Sequence, residues 1–338
     1  MPMNNPFDNP SFNLIEMTRS INIIPNNYGW VRSQNIFSER GVHTTSVAIE
    51  EMNGVLNVLR AKPRGSDPDV NTSGKRKLRR IETLHYPIED QIHPEDIQDV
   101  RRFDSQNEYE DADSVMLAKL EEMRGKHGIT KEYALLGALK GAVLNDDGSV
   151  LVDMYDEFGV TKKKINMQLT TAATEVRSKT IAIRRHMEDN LMGENMTGID
   201  VLASRDFFDS FIEHANVKEV FKATEASVER LGGDIRQEGF KFGAIRLVEY
   251  GGTISAPDGR TIKLVEDGKA HAFPRGTLNT FEVNYAPGNF LSTVNTVGLE
   301  LYARADRDPK DRWLDIYTES NPLPLCKRPA LLVELSAS

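Results

Sequence analysis

The apolar run ALLVEL at residues 330–335 constrains the fold most, because it needs a buried place although the stretch before it is polar. That preceding stretch, TESNPLPLCKRP, contains three prolines and several charged residues. Leu331, Val333 and Leu335 would lose their hydrophobic stabilisation if they stayed in water. Their backbone N–H and C=O groups would also lack partners in an unpaired strand. We therefore expect the run to form a strand that pairs with earlier strands inside the protein.

The composition fits a globular protein with an ordinary core. The chain has 338 residues, of which 39% are hydrophobic and 28% charged, enough for two or three domains. No stretch reaches the roughly 18 uncharged apolar residues of a membrane span. Residues 1–17 lack the basic leader and apolar core of a signal peptide. We expect neither export nor membrane insertion. The one cysteine, Cys326, cannot form an internal disulfide, and we expect it to be a small buried hydrophobe.

The first 90 residues predict an arm followed by a hairpin. Residues 1–40 are rich in Asn and Pro and show no clear apolar period, which is typical of an extended arm. Apolar runs at 44–52 and 55–60 flank Asn53-Gly54, the strongest short signal for a β-hairpin turn. The polar residues 61–80 that follow predict a long loop.

Helices and then strands are predicted in the rest of the chain. Helical periodicity predicts two helices, at 111–126 and at about 131–144, with Thr130 as the cap of the second. A strand at 164–169 and a helix at 172–191 follow. IDVLAS, residues 199–204, reads as a buried strand, after which Ser204 caps a helix with Phe207, Phe208 and Phe211 on its core face. Residues 234–338 read mostly as strands and turns.

No pattern of catalytic or ligand-binding residues emerges from the sequence. The seven histidines include no pair at the i, i+4 spacing that presents two ligands to one metal. No GxSxG, P-loop or GxGxxG motif is present. The carboxylates, such as those of DEFG at 156–159, fit solvated turns and helix faces. We therefore predict no enzyme, no catalytic residues, no cofactor and no metal.

One basic run stands out in an acidic chain, whose net charge is −9 and whose pI is about 5.4. That balance argues against broad affinity for nucleic acid. The run consists of Lys75, Arg76, Lys77, Arg79 and Arg80. It is either an exposed arm that docks on an acidic surface or on nucleic acid, or a solubilising loop tip. No aromatic residues interleave the run, which disfavours single-strand recognition. The simplest partner for it is another copy of this chain.

The order of elements, taken with several segments, resembles a known family. The segments are SVAIEEMNGVLNVL, ETLHYPIEDQIHPEDIQDVR, EYALLGALKGAVL, LVDMYDEFG, LGGDIRQEGFKFGAIRLVEYGG and ESNPLPLCKRPALLVEL. In this order, they resemble the major capsid proteins of tailed bacteriophages, specifically the lambda-like family called phage major capsid protein E. The likeness covers most of residues 36–338.

The resemblance implies the α+β capsid fold shared by tailed phages and herpesviruses. Its parts would be an N-terminal arm at 1–40, an E-loop hairpin at 41–90, a P-domain with a spine helix at 91–195 and an A-domain at 196–318. Residues 319–338 would return to the P-domain as a C-terminal strand. The basic run matches no family motif; we predict that its cations contact carboxylates of an adjacent subunit.

The resemblance also implies function and partners. The protein would assemble into hexamers and pentamers of an icosahedral shell around double-stranded DNA, without sequence-specific binding. It would form in the host cytoplasm and reside in the virion. Its partners would be a scaffolding protein and a portal protein, with a decoration protein as an optional third. The alternatives are a nucleic-acid-binding protein that uses the loop at 75–80, and a hydrolase built on scattered acids.

Overall fold

The computed structural model describes residues 17–18, 21, 29–52, 76–97, 112–218, 220–222 and 235–338. Its helices are α1 (Trp30–Ser33), α2 (Ala112–Lys140), α3 (Met154–Phe158), α4 (Val176–Asn190), α5 (Arg205–Glu213) and α6 (Ile235–Glu238). The first strands are β1 (Ser38–Gly41), β2 (Ser46–Met52), β3 (Arg76–Glu82), β4 (Tyr86–Ile92), β5 (Ala142–Leu144), β6 (Val150–Asp153), β7 (Lys163–Asn166), β8 (Gly198–Ala203) and β9 (Phe240–Phe242). The others are β10 (Ile245–Glu249), β11 (Thr253–Ser255), β12 (Thr261–Lys263), β13 (Lys269–Arg275), β14 (Phe281–Tyr285), β15 (Tyr302–Arg307), β16 (Leu314–Ser320), β17 (Pro322–Cys326) and β18 (Val333–Ser336). The fold is α+β, as predicted.

The long helix α2 runs for 29 residues, where the sequence predicts two helices. Thr130 does not cap a second helix, because its hydroxyl donates to the carbonyl oxygen of Lys126 at 2.9 Å. The prediction of a break is therefore wrong. The physical reason is packing: the helix is buried in two separate cores, which outweighs the low helix propensity of Gly125 and Gly128. The buried residues are Met116, Leu120 and Met123 near its start and Leu135, Leu136 and Leu139 near its end.

A three-stranded antiparallel sheet packs on the N-terminal half of α2. Its strand order is β15-β16-β4, and its apolar side chains share a core with that half of the helix. Met17 and Ile21 are buried in the same core. The Thr18 hydroxyl lies 3.1 Å from the backbone nitrogen of Ala303 and accepts its hydrogen bond. Part of the predicted arm therefore packs on the sheet of its own chain.

The largest sheet has six strands in the order β7-β18-β13-β8-β10-β9. β7 pairs with β18 in parallel, as does β8 with β10, and the other pairs are antiparallel. Helices α4 and α5 cover one face of this sheet. The predicted cap of α5 is confirmed, because the Ser204 hydroxyl accepts from the Phe207 N–H at 3.3 Å. Phe207, Phe208 and Phe211 are buried against the sheet, also as predicted.

The apolar run at 330–335 ends inside this sheet. Its last residues belong to β18, which lies between β13 and β7 and is paired on both sides. Val333 and Leu335 are almost fully buried in the core beneath α4 and α5. The expected pairing with earlier strands is therefore observed, and it satisfies both the apolar side chains and the backbone.

A third sheet, in the order β1-β14-β17, lies beside the C-terminal half of α2. Its strand β17 falls where the sequence predicts a polar turn with prolines. Pro322 and Pro324 are tolerated because β17 is an edge strand, where a missing N–H breaks no second ladder. Cys326 is fully buried at the end of β17, as predicted.

The described helices include none that could cross a membrane, since none combines the necessary length with an apolar composition. The predicted turn at Asn53-Gly54, the strand at 55–60 and most of the loop at 61–80 lie outside the described residues.

Candidate assembly surfaces

The basic run lies on a strand, so the predicted loop at 76–80 is wrong. β3 pairs with β2 along its whole length in antiparallel register, with Arg79 opposite Ile49 and Arg80 opposite Ala48. The pairing is non-local, which is why the polar composition of this segment gave no strand signal. Arg76 and Lys77 belong to the same strand. Lys75 lies outside the described residues.

Arg79 and Arg80 differ in their surroundings. Arg79 is half-buried, and its Nη2 atom donates to the carbonyl oxygen of Phe158 at 3.2 Å. Its guanidinium also stands 5.2 Å from the centroid of the Phe158 ring. Arg79 thus ties the β2–β3 ribbon to α3 of the same chain, whereas Arg80 is exposed. The Arg80 side chain is therefore more accessible to a second molecule than that of Arg79.

A second surface was missed in the sequence. Residues 286–299, APGNFLSTVNTVGL, carry no charged side chain in a chain that is 28% charged. This neutral segment contains some of the most exposed large apolar residues that the structure describes. They are Leu291 (97% exposed), Val294 (61%), Val297 (50%) and Leu299 (48%). The absence of charge over fourteen residues was the signal in the sequence that could have indicated this surface. Exposed apolar patches often mark sites of contact with other molecules.

The neutral segment is held at the base of the β2–β3 ribbon. The Gly298 N–H donates to the Val42 carbonyl oxygen at 2.9 Å, and the Asn295 carbonyl oxygen lies 3.3 Å from Nδ1 of His43. The apolar surface and the ribbon therefore share one anchoring point.

An ionic network fixes the chain before the ribbon to helix α2. Lys131 of α2 is almost buried; its Nζ atom lies 2.9 Å from Oε1 of Glu39 and 3.2 Å from Oε1 of Glu300. Glu300 also accepts from Nη2 of Arg32, at 3.2 Å. Tyr285 donates from its hydroxyl to Oε2 of Glu39 at 2.9 Å. The network fixes the positions of α1 and β1 relative to α2.

Helix α1 also depends on a carboxylate of α2. Gly29 has no side chain that could cap α1; Glu132 takes that place, accepting from the Val31 N–H at 2.8 Å. The Tyr250 hydroxyl donates to the same Oε1 atom at 2.8 Å. Burial, followed by the charge of Glu132, raises the pKa of Tyr250 well above its usual value. The hydroxyl therefore keeps its proton and its role as donor.

The same physics acts on the Lys131 network. Burial, and then the charges of Glu39 and Glu300, raise the pKa of Tyr285 far above its usual value. Burial alone would raise the pKa of Glu300, but the cations Lys131 and Arg32 outweigh it, and the pKa lies below the usual value. Glu300 is therefore ionised at neutral pH and bound between cations.

His127 of α2 is buried and neutral. Its Nε2 atom lies 3.0 Å from the Thr318 hydroxyl of β16, so the pair joins the helix to the three-stranded sheet. Burial and the nearby Arg124 charge lower the pKa of His127 to about 4. A buried uncharged histidine in this position is a packing and hydrogen-bonding residue at pH 7.

The described residues hold no cluster that could bind a metal ion. None of the described His, Cys, Asp and Glu side chains form a group of three or more that could hold a metal ion. Burial raises the pKa of Cys326 to about 12, which removes its nucleophilic thiolate. A groove of about 630 Å³ between α2, β4 and the β11–β12 hairpin has a single carboxylate in its lining, Asp146. That groove therefore offers no pair of acids, whereas the open groove beside β4 is lined by Glu89, Asp90 and Asp96.

Comparison with known proteins identifies the family. The model of a family described as phage major capsid protein E matches residues 13–337. The chain belongs to the phage major capsid protein E family. It is 33% identical to the major capsid protein of Pseudomonas phage KPP10, over 97% of each chain. It is 29% identical to the major capsid protein of Salmonella phage Felix O1, over 96% of each chain.

Solved structures show that this family member has the predicted capsid fold. The putative capsid protein of a prophage of E. coli CFT073 matches with a TM-score of 0.57 at 14% identity, covering 96% of this chain and 99% of that one. The mature capsid of bacteriophage PhiM1 matches with a TM-score of 0.51 at 12% identity, covering 92% of this chain and 87% of that one.

Proposed function

We propose that this chain is the major subunit of a phage head, which assembles into hexamers and pentamers of an icosahedral shell around double-stranded DNA. The observation that carries the proposal is the family match over residues 13–337, together with relatives that align over nearly their full length. The basic run and the neutral segment 286–299 give the subunit two separate candidate contacts. Modest contacts allow misplaced subunits to dissociate before a shell closes.

The domain boundaries of the resemblance are part of this proposal. Residues 1–40 are the arm, 41–90 the E-loop, 91–195 the P-domain with α2 as its spine helix, 196–318 the A-domain and 319–338 the returning strand. Strand β18 pairs with β7 from the proposed P-domain range and with β13 from the proposed A-domain range. The six-stranded sheet therefore includes strands from both.

The basic run supplies a contact between subunits in this proposal. We propose that Lys75, Arg76, Lys77, Arg79 and Arg80 meet carboxylates of an adjacent subunit, with Arg80 the most accessible of the two whose side chains are described. Changing Arg80 to Glu should weaken assembly and shift its salt dependence, because like charges would then meet. Arg260→Glu is a matched exposed control. Unchanged assembly of the Arg80 variant across salt concentrations would remove this contact from the proposal.

The remaining parts of the proposal concern partners, place and chemistry. The shell subunit works without catalysis, cofactor or metal, and it resides in the virion after assembly in the host cytoplasm. A scaffolding protein and a portal protein complete the particle, and a decoration protein is an optional addition. The net charge of −9 supports a container that does not hold DNA tightly, since phosphate neutralisation needs an excess of cations.

Electron microscopy with light scattering tests the function. The protein is expressed alone and with the proteins encoded beside it, and the products are imaged. We expect closed shells, tubes or ring-shaped capsomers. A compact monomer under every condition would refute the proposal. If that monomer also bound DNA tightly and lost the affinity at high salt, the basic run would mark a nucleic-acid-binding protein instead.

A further inference from the structure

The neutral segment, residues 286–299, presents its apolar side chains as a fixed projection. Leu291, the most exposed of them, is 97% accessible and begins a 3₁₀ turn. The Thr293 hydroxyl closes this turn: it donates to the Gly288 carbonyl oxygen and accepts from the Phe290 N–H at 3.3 Å. The turn is therefore held in one conformation before binding, which lowers the entropic cost of a contact made through it.

The projection lies on the outer face of the β15-β16-β4 sheet. The centroid of the Phe290 ring is 6.3 Å from that of Tyr302 and 5.7 Å from that of Tyr317. Ala303 and Ile316, the chain neighbours of these tyrosines, are buried with α2 in the core on the other face. Successive side chains of a strand point to opposite faces of a sheet. At Phe290, the neutral segment and α2 are therefore on opposite faces of this sheet.

An open apolar groove lies on the α2 face. It is the groove between α2, β4 and the β11–β12 hairpin, and its volume is about 630 Å³. Half-buried apolar and aromatic side chains line it, namely Ile88, Ile129, Tyr133, Ile254 and Ile262. A volume of this size is within the range of pockets that bind ligands, and it can receive a leucine side chain together with its neighbours.

Electrostatics favours a contact between these two surfaces over most others that two copies of the chain could make. Each copy carries a formal net charge of −9, so two copies repel each other over much of their surface. The neutral segment has no charged side chain, and the described groove lining contains one cation, Lys126, and one anion, Asp146. A contact between the two surfaces therefore brings no net charge into the interface.

We propose that the neutral segment of one subunit inserts Leu291 into the apolar groove of a neighbouring subunit. Within one subunit the sheet separates the two surfaces, so the contact needs a second copy. It joins two different surfaces of the same protein; it therefore repeats head to tail, and a ring closes only at a fixed angle between subunits. This inference rests on the proposed function, because it names one contact within the shell.

The first test places a thiol on each surface and leaves Leu291 in place. Subunits with Ser292→Cys are mixed with subunits with Ser255→Cys, assembled, and treated with a short bismaleimide. Both serines are exposed; Ser292 follows Leu291, and Ser255 lines the groove. The native Cys326 is fully buried and is present in every variant.

We expect covalent dimers that join one subunit of each kind, with the two joined peptides identified by mass spectrometry. Ser178→Cys in place of Ser255→Cys is the matched control, because Ser178 is exposed on α4, away from the groove lining. The absence of dimers between the Ser292 and Ser255 variants, or an equal yield with the Ser178 variant, would overturn the proposal.

The second test introduces a charge into the contact. Leu291→Asp should lower the subunit association constant, measured by sedimentation, about tenfold or more, because a carboxylate would enter an apolar groove. Leu278→Asp is the matched control, since Leu278 is 82% exposed outside the neutral segment. Adding Ser255→Lys to Leu291→Asp should recover part of the association, because the ammonium group would face the carboxylate. Adding Ser178→Lys should not.

The outcomes separate this inference from the proposed function. Unchanged association of Leu291→Asp, an equal loss with Leu278→Asp, or no recovery with Ser255→Lys refutes the groove as the docking site, while shells of the unaltered protein still form. Failure of the unaltered protein to form shells refutes the proposed function and this contact with it. The unfolding midpoint of each variant shows whether the subunit itself remains folded.

Discussion

Acid should weaken the subunit through His127, and a single substitution can isolate that effect. His127 is buried beside Thr318, and its pKa is lowered to about 4 from an unfolded value of 6.5. At pH 5 the unfolded chain binds a proton on this imidazole, whereas the folded chain does not. Proton uptake therefore favours unfolding, and stability falls as the pH drops from 6.5 towards 4.

The size of the effect follows from the two pKa values. Between pH 7 and pH 5, linkage gives a loss of about 2 kcal/mol in the free energy of unfolding from this one residue. His127→Gln keeps a hydrogen-bonding group for the Thr318 hydroxyl and cannot titrate. The variant should therefore lose about 2 kcal/mol less than the unaltered protein over the same pH change.

Urea unfolding of the unassembled subunit at pH 7 and pH 5 measures the difference. His271, whose pKa burial also lowers, titrates equally in both proteins and cancels in the comparison. His186→Gln is a suitable control, because that histidine is only half-buried and hydrogen-bonds a backbone carbonyl oxygen. An equal loss of stability in the unaltered protein and in His127→Gln would refute the reasoning.

Three further predictions concern the subunit and are measured by urea unfolding at pH 7. Lys131→Met removes the nearly buried ammonium group that Glu39 and Glu300 share and should cost about 2 kcal/mol. An unchanged free energy of unfolding would show that these ion pairs do not stabilise the subunit. Phe211→Ala removes a fully buried ring beneath the six-stranded sheet and should cost about 3–5 kcal/mol, and a loss below 1 would mean that the site collapses. Ser204→Ala should cost about 1 kcal/mol by removing the α5 cap, whereas Ser204→Asp should not.

Local signals in the sequence predicted the elements whose determinants are local. Ser204 caps α5 because its hydroxyl and the Phe207 N–H are three residues apart, and the spacing of Phe207, Phe208 and Phe211 fixes the buried face. The terminal strand β18 was predicted for the same reason, since the apolar run at 330–335 needs a buried position. Each of these features can be read within a window of ten residues.

Features that depend on distant partners were misread. β3 is a polar sequence that becomes a strand because β2 pairs with it, and the continuity of α2 comes from two cores built by other segments. Glycines near the middle of α2 would end a solvated helix, but packing at both ends keeps it intact. The neutral segment 286–299 carries no charged or catalytic side chain, so its only signal in the sequence is the absence of charge over fourteen residues.

The continuous helix links the fold to assembly. Helix α2 is buried at both ends and is about 42 Å long. It therefore holds the β15-β16-β4 sheet at a fixed distance from the six-stranded sheet. A break in α2 near Thr130 would let the two sheets rotate relative to each other. A contact made by one sheet would then not fix the position of the other sheet. With an unbroken helix, the position of one sheet fixes the position of the other within the subunit. Contacts that the proposed shell makes at these two sheets would therefore be held at one fixed angle.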